Sequence, residues 1–149
     1  MNFTTDQKIQ PRILLVEDNR ADIRLTQEAL KESAHKIYLD VVTDGEEALD
    51  FLMRRNQYTS SILPHIILLD LNLPKKTGLE VLKEIKAHEI LKRIPVILLT
   101  TSDAEHDIAK AYNLHANCYI LKPVDFEDFS KVIKLVEIYW FNTVQLSPA

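Results

Sequence analysis

The chain has 149 residues, with 18 Lys or Arg against 22 Asp or Glu, a formal net charge of −4. That length suits one domain of about 100–200 residues, and the acidic balance lacks the basic surface of a stand-alone nucleic-acid binder. Hydrophobic residues at 46% and charged ones at 27% exclude disorder, and the two glycines, Gly45 and Gly78, leave no glycine-rich phosphate loop.

The first apolar run, Arg12–Glu17, is brief and rich in Ile, Leu and Val, as buried parallel strands are. Asn19 follows as the cap of a helix reaching about Ser33. A second run, Ile37–Val42, precedes Asp44 and Glu47, which open a helix to about Arg55. The third, His65–Leu69, leads to Thr77 and Glu80 in capping-box spacing. The fourth, Pro95–Thr100, leads to Ser102 and Glu105 in the same spacing, and the fifth, Asn117–Leu121, to a helix from Asp125 to about Asn142. Five strand–helix pairs predict an α/β fold, doubly wound, with one parallel sheet covered on both faces. The expectation is one domain over 1–149, its core at about 12–142 and loose ends at 1–11 and 143–149.

The opening residues, MNFTTDQKIQPR, carry no apolar signal region. No apolar run approaches the roughly 20 residues of a membrane helix, and the single Cys118 has no partner for an internal disulfide. A soluble, cytoplasmic protein is expected, with neither nucleic acid nor membrane as partner.

In an open doubly wound sheet, ligands bind beyond the carboxyl ends of the strands. Those ends are Glu17-Asp18, Asp70, Thr100-Thr101 and Lys122-Pro123. Three carboxylates converge if the first and third strands are neighbours, and a hard divalent cation relieves their repulsion. Magnesium fits oxygen ligands of this kind, whereas the five histidines show no ligand spacing and no zinc site is expected. A hydroxyl and an ammonium beside a carboxylate and a divalent ion are what a transferred phosphoryl group needs. Asp70 is then the nucleophile. Singly these residues have plainer readings, since Asp often caps a turn and Lys-Pro is common in loops. Together, at four strand ends, they are hard to explain as accident.

At these positions the chain resembles the receiver domain of two-component response regulators. The likeness lies in LLVEDN, LLDLNLPKKTGLEVL, PVILLTT and ANCYILKPV, and it covers nearly the whole sequence. The Asn-Leu-Pro after Asp70 and the lack of an output domain make it most similar to small single-domain regulators serving bacterial, especially cyanobacterial, phytochromes. The resemblance implies a flavodoxin-like sheet in the order 2-1-3-4-5. It implies that Asp70 accepts phosphate from a sensor histidine kinase, in this subgroup a phytochrome. It further implies direct magnesium ligation by Asp18 and Asp70, ligation through water by Glu17, and a backbone-carbonyl ligand at Asn72. Thr100 and Lys122 correspond to the groups that contact phosphoryl oxygens. Tyr119 matches the switch aromatic that turns inward as Thr100 moves. Such a protein is not an enzyme beyond its own phosphorylation and dephosphorylation, and its kinase is read mainly by the first helix, here Arg20, Ala21, Ile23 and Arg24.

Three positions depart from the common pattern: Thr77 in place of Asp, Thr101 in place of a small residue, and His115 in place of Gly. None removes a catalytic group. A phosphatase of the haloacid dehalogenase type competes with this reading, but it needs a second Asp where Asn72 stands and a Thr where Pro74 stands. A flavin carrier needs a hydroxyl- and glycine-rich loop where Glu17-Asp18 stands. A phosphate-independent scaffold leaves the complete acid–Asp–Thr–Lys set without a purpose.

At 100° per residue, Phe129, Val132, Ile133, Val136 and Trp140 form one stripe of the last helix, read as core. Leu135, Ile138 and Tyr139 fall beside it and are read as a homodimer interface. Cover by the chain tail, with Val144 and Leu146, is the plainer alternative.

Overall fold

The computed structural model describes residues 10–33 and 36–148. Five strands, β1 (Arg12–Val16), β2 (Tyr38–Val42), β3 (Ile66–Leu69), β4 (Val96–Thr100) and β5 (Cys118–Leu121), form one sheet in the order β2-β1-β3-β4-β5. Every pairing is parallel. The helices are α1 (Arg20–Lys31), α2 (Gly45–Met53), α3 (Gly78–Ala87), α4 (Glu105–Asn113) and α5 (Phe126–Ile138).

Alternate strand residues point to opposite faces. Ile13, Leu15, Ile66, Leu68, Ile97 and Leu99 pack against α1 and α5, through Ala29, Leu30, Phe129, Ile133 and Val136. Leu14, Val16, Ile67, Leu69, Val96 and Leu98 pack on the other face against α2, α3 and α4. Both faces are therefore apolar, which is why the central strands read as unbroken hydrophobic runs. The expected stripe of α5 holds: Phe129, Ile133 and Val136 are buried, with Val132 and Trp140 packed beside them.

Four of the five expected caps form. The side chains of Asn19, Asp44, Thr77 and Asp125 accept from backbone N–H groups of the first turns of α1, α2, α3 and α5. Thr77 and Glu80 make the full reciprocal box, so Thr77 serves as a cap. The Ser102 cap does not form. Helix α4 starts after Ala104 with no side-chain cap; the Ser102 hydroxyl donates to Asp107 at 2.7 Å and accepts from the Ala104 N–H at 3.4 Å, ahead of the helix. At the other end of the chain, α5 runs into a wider π-helical turn, Tyr139–Thr143. Leu146 then packs against the α1/α5 core, so the segment expected to be loose after 143 is partly anchored; residues 1–9 of the other expected loose end lie outside the described residues.

Both glycines sit where two backbone segments touch. A Cβ on Gly45 would stand 2.2 Å from the Lys76 carbonyl oxygen, and one on Gly78 would stand 2.2 Å from that of Asp70. The Gly78 N–H donates to the Leu71 carbonyl at 2.9 Å and the Gly45 N–H to that of Pro74 at 3.3 Å. The loop between β3 and α3 is thus clamped at two points directly after Asp70.

Candidate functional site

The strand order reverses between β1 and β3, and this crevice gathers the carboxylates. The Glu17 N–H donates to Val42, that of Asp70 to Val16 and that of Lys122 to Thr100. Each residue is thereby held on the last rung of a parallel ladder, with its side chain aimed over the sheet edge. Glu17, Asp70 and Thr100 are buried, while Asp18 is exposed at the rim.

Lys122 is the centre of the arrangement. Its Nζ donates to Glu17 at 2.6 Å, to Asp22 at 2.8 Å and to Asp70 at 3.1 Å. Burial works against the lysine charge, but the hydrogen bonds to Asp22 and Glu17 and the charge of Asp70 outweigh it and hold the ammonium above its usual range. Burial pushes Glu17 up to about 7, with the nearby Asp70 charge adding to it and the Lys122 hydrogen bond opposing it. One ammonium faces more carboxylate charge than it can neutralise.

That surplus is the test of a cation site, and the residues fit. Glu17, Asp18 and Asp70 each offer a carboxylate oxygen, all within 4.8 Å of one another. Oxygen donors in this number suit a hard divalent cation. The Asn72 N–H donates to Asp70 Oδ1 at 3.3 Å, so Asn72 lies directly over the central carboxylate while Lys122 takes Oδ2.

Thr100 and Tyr119 are linked through one residue. The Ser102 N–H donates to the Thr100 hydroxyl at 3.4 Å, and the Tyr119 hydroxyl donates to the Ser102 carbonyl at 2.8 Å. Tyr119 is half-buried against the α2–α4 core, and burial raises its phenol. His115 takes φ 72°, the left-handed backbone that its departure from Gly put in question. Thr101 is exposed. Leu135, Ile138 and Tyr139 are exposed on one side of α5, and Leu146 packs against the core rather than serving as a free tail.

Sequence reasoning missed Asp22. An acid in the first turn of a helix is ordinary, and only its place three residues after the Asn19 cap, on the turn facing the strand ends, hinted at more.

Comparison with known proteins agrees with this geometry. The sequence profile of the response regulator receiver domain matches residues 13–134. The response regulator Rcp1 of Synechocystis sp. is 48% identical over 146 residues, covering 97% of this chain and 99% of the relative. The phosphorylated cyanobacterial phytochrome response regulator RcpA superposes with a TM-score of 0.92 at 47% identity, over 94% of this chain and 100% of that one. The manganese-bound form of Rcp1 gives a TM-score of 0.89 at 48% identity, over 93% and 99%. With its acidic pocket at the β1/β3 crossover, its lysine after β5 and this extent of likeness, the chain belongs to the response regulator receiver family.

Proposed function

We propose that this protein is a phosphorylation-driven signalling switch in which Asp70 accepts a phosphoryl group from the histidine of a sensor kinase. The observation that carries the reading is Lys122 Nζ, 3.1 Å from Asp70 in a pocket of three more carboxylates. An Asp70 carboxylate oxygen attacks phosphorus, the phosphorus–nitrogen bond breaks, and the electron pair returns to the imidazole ring of the donor. Lys122 and Thr100 are suited to receive the phosphoryl oxygens, the ammonium by charge and the hydroxyl by hydrogen bonding. Asp18, Asp70 and the Asn72 carbonyl are the direct ligands proposed for magnesium, with Glu17 acting through water. When bound, the ion neutralises carboxylate and phosphoryl charge.

The likeness to phytochrome response regulators supports a phytochrome as the kinase and a cytoplasmic site of action. No helix among the described residues is long and apolar enough to cross a membrane. Exposed Leu135, Ile138 and Tyr139 support a homodimer through α5. Catalysis in this reading is limited to the protein's own aspartyl phosphate.

Incubation with acetyl phosphate and magnesium, followed by intact-mass measurement, tests the proposal. One added phosphoryl group that is lost in Asp70→Asn is expected. Stoichiometric phosphate on another residue of that variant overturns it.

A further inference from the structure

An ammonium has three N–H bonds, and Lys122 spends all of them on carboxylates, Glu17, Asp22 and Asp70. To meet a phosphoryl oxygen on Asp70 it must release an acceptor. The three are not equal. Once phosphorylated, Asp70 is an acyl phosphate without a carboxylate charge and its bond passes to the phosphoryl group, so any further phosphoryl contact must come from Glu17 or Asp22. The side chain of Glu17 is 3% exposed, whereas that of Asp22 is 22% exposed. A carboxylate stripped of its partner while buried carries a heavy desolvation cost, but one near the surface is rehydrated. Asp22 also lies in the first turn of α1, where the helix dipole favours negative charge. Asp22 is the acceptor that is least costly to release.

Building on the reading of Asp70 as phosphoacceptor, we propose that Asp22 is a positioning residue that holds Lys122 in the resting protein and competes with the phosphoryl group for it. The Asp22–Lys122 pair bridges 100 residues, from the start of α1 to the end of β5. Departure of Lys122 therefore frees a carboxylate on α1 in the same event that secures the phosphoryl group. The charge at position 22 sets how readily the phosphorylated state forms and how long it lasts.

Beryllofluoride with magnesium is the probe, titrated by calorimetry, with the half-life of acetyl-phosphate-derived phosphoprotein followed by mass as a second readout. Asp22→Asn keeps the shape but removes the charge, so beryllofluoride binds roughly tenfold more tightly, the scale of one charge-assisted hydrogen bond. The phosphoprotein lives longer in the same variant. Asp22→Glu restores the carboxylate and returns both readouts toward those of the parent. Loss of a negative charge also favours an anion directly, and a Lys122→Met background separates the two causes. There Asp22→Asn changes either readout by less than about twofold if it acts through Lys122. A full tenfold gain in that background overturns the proposal, as does unchanged or weaker binding by Asp22→Asn alone. If the parent chain binds no beryllofluoride, the phosphoacceptor reading fails and this proposal falls with it. Binding by the parent without a response at position 22 defeats the proposal alone.

Discussion

The hydroxyl of Tyr119 is hydrogen-bonded to the backbone carbonyl of Ser102, at 2.8 Å. Ser102 in turn donates its N–H to the hydroxyl of Thr100, at 3.4 Å. The buried threonine at the end of β4 and the aromatic ring on β5 are thus tied to the same loop residue. Any displacement of Thr100 toward Asp70 pulls on the support of Tyr119.

Tyr119→Phe removes that tie and leaves the Ser102 carbonyl to water. A loss of about 1 kcal/mol is expected, the net worth of an ordinary hydrogen bond. Urea unfolding measures it, and hydrogen exchange should quicken between Thr101 and Ala104. Unaltered exchange there would show that the loop is held by other contacts.

Gly78→Ala is expected to destabilise, although Gly→Ala at an unobstructed helical position gains up to about 1 kcal/mol. The new Cβ would stand 2.2 Å from the Asp70 carbonyl oxygen and 2.6 Å from Leu71 Cα, and neither is a movable side-chain tip. Overpacking of this kind costs about 1–3 kcal/mol. Chemical denaturation gives the sign directly, and a gain in stability would contradict the close approach.

His65 gives the fold a pH dependence at the opposite end of the sheet. Its Nδ1 accepts from the Arg12 N–H at 2.9 Å, and its ring meets Phe141 edge-on at 6.2 Å. Burial, and then the Arg12 charge, hold its pKa below the ordinary 6.5. Below pH 6.5 the unfolded chain takes this proton more readily than the folded one, so stability falls as pH drops and is flat above that value. Urea unfolding at about pH 7.5 and about pH 5.5 reads the difference, and His65→Asn should shrink it.

Leu135→Glu tests the α5 face. Leu135, Ile138 and Tyr139 are 64%, 49% and 54% exposed, and a coupled interface typically changes affinity by roughly 5–150-fold between states. Sedimentation with and without beryllofluoride should show more dimer with it, and monomer for the variant in both states. A monomer in every case would place the interface elsewhere.

The central strands β1, β3 and β4 were legible because each is covered on both faces and therefore reads as a short apolar run bounded by polar ends. The half-exposed edge strands β2 and β5 were legible by their β-branched and apolar content. The terminal residues were legible for a related reason, since Glu17, Asp70, Thr100 and Lys122 end hydrophobic runs together at four strand ends, a combination that turn caps and loop residues do not explain. Asp22 ends no such run. It lies on a mixed helix surface, and its link to Lys122 exists only once α1 and β5 are brought together. Ser102 was misread because capping-box spacing does not fix where the helix begins: its hydroxyl accepts from the Ala104 N–H and donates to Asp107, and α4 starts only at Glu105. The anchoring of Leu146 follows the π-helical turn after α5, which spacing counted at 100° does not anticipate.

The two glycine clamps give the pocket a mechanical asymmetry. On the flank that follows Asp70, Gly45 and Gly78 press backbone on backbone, and such contacts yield little without breaking the fold. On the flank that follows Thr100, α4 begins without a side-chain cap and its approach is held by single hydrogen bonds through Ser102. A load applied at Asp70 therefore meets a stiff wall on one side and a compliant one on the other. Displacement at Asp70 is expected to pass more readily toward β4, α4 and β5 than toward the flank that the two glycines hold.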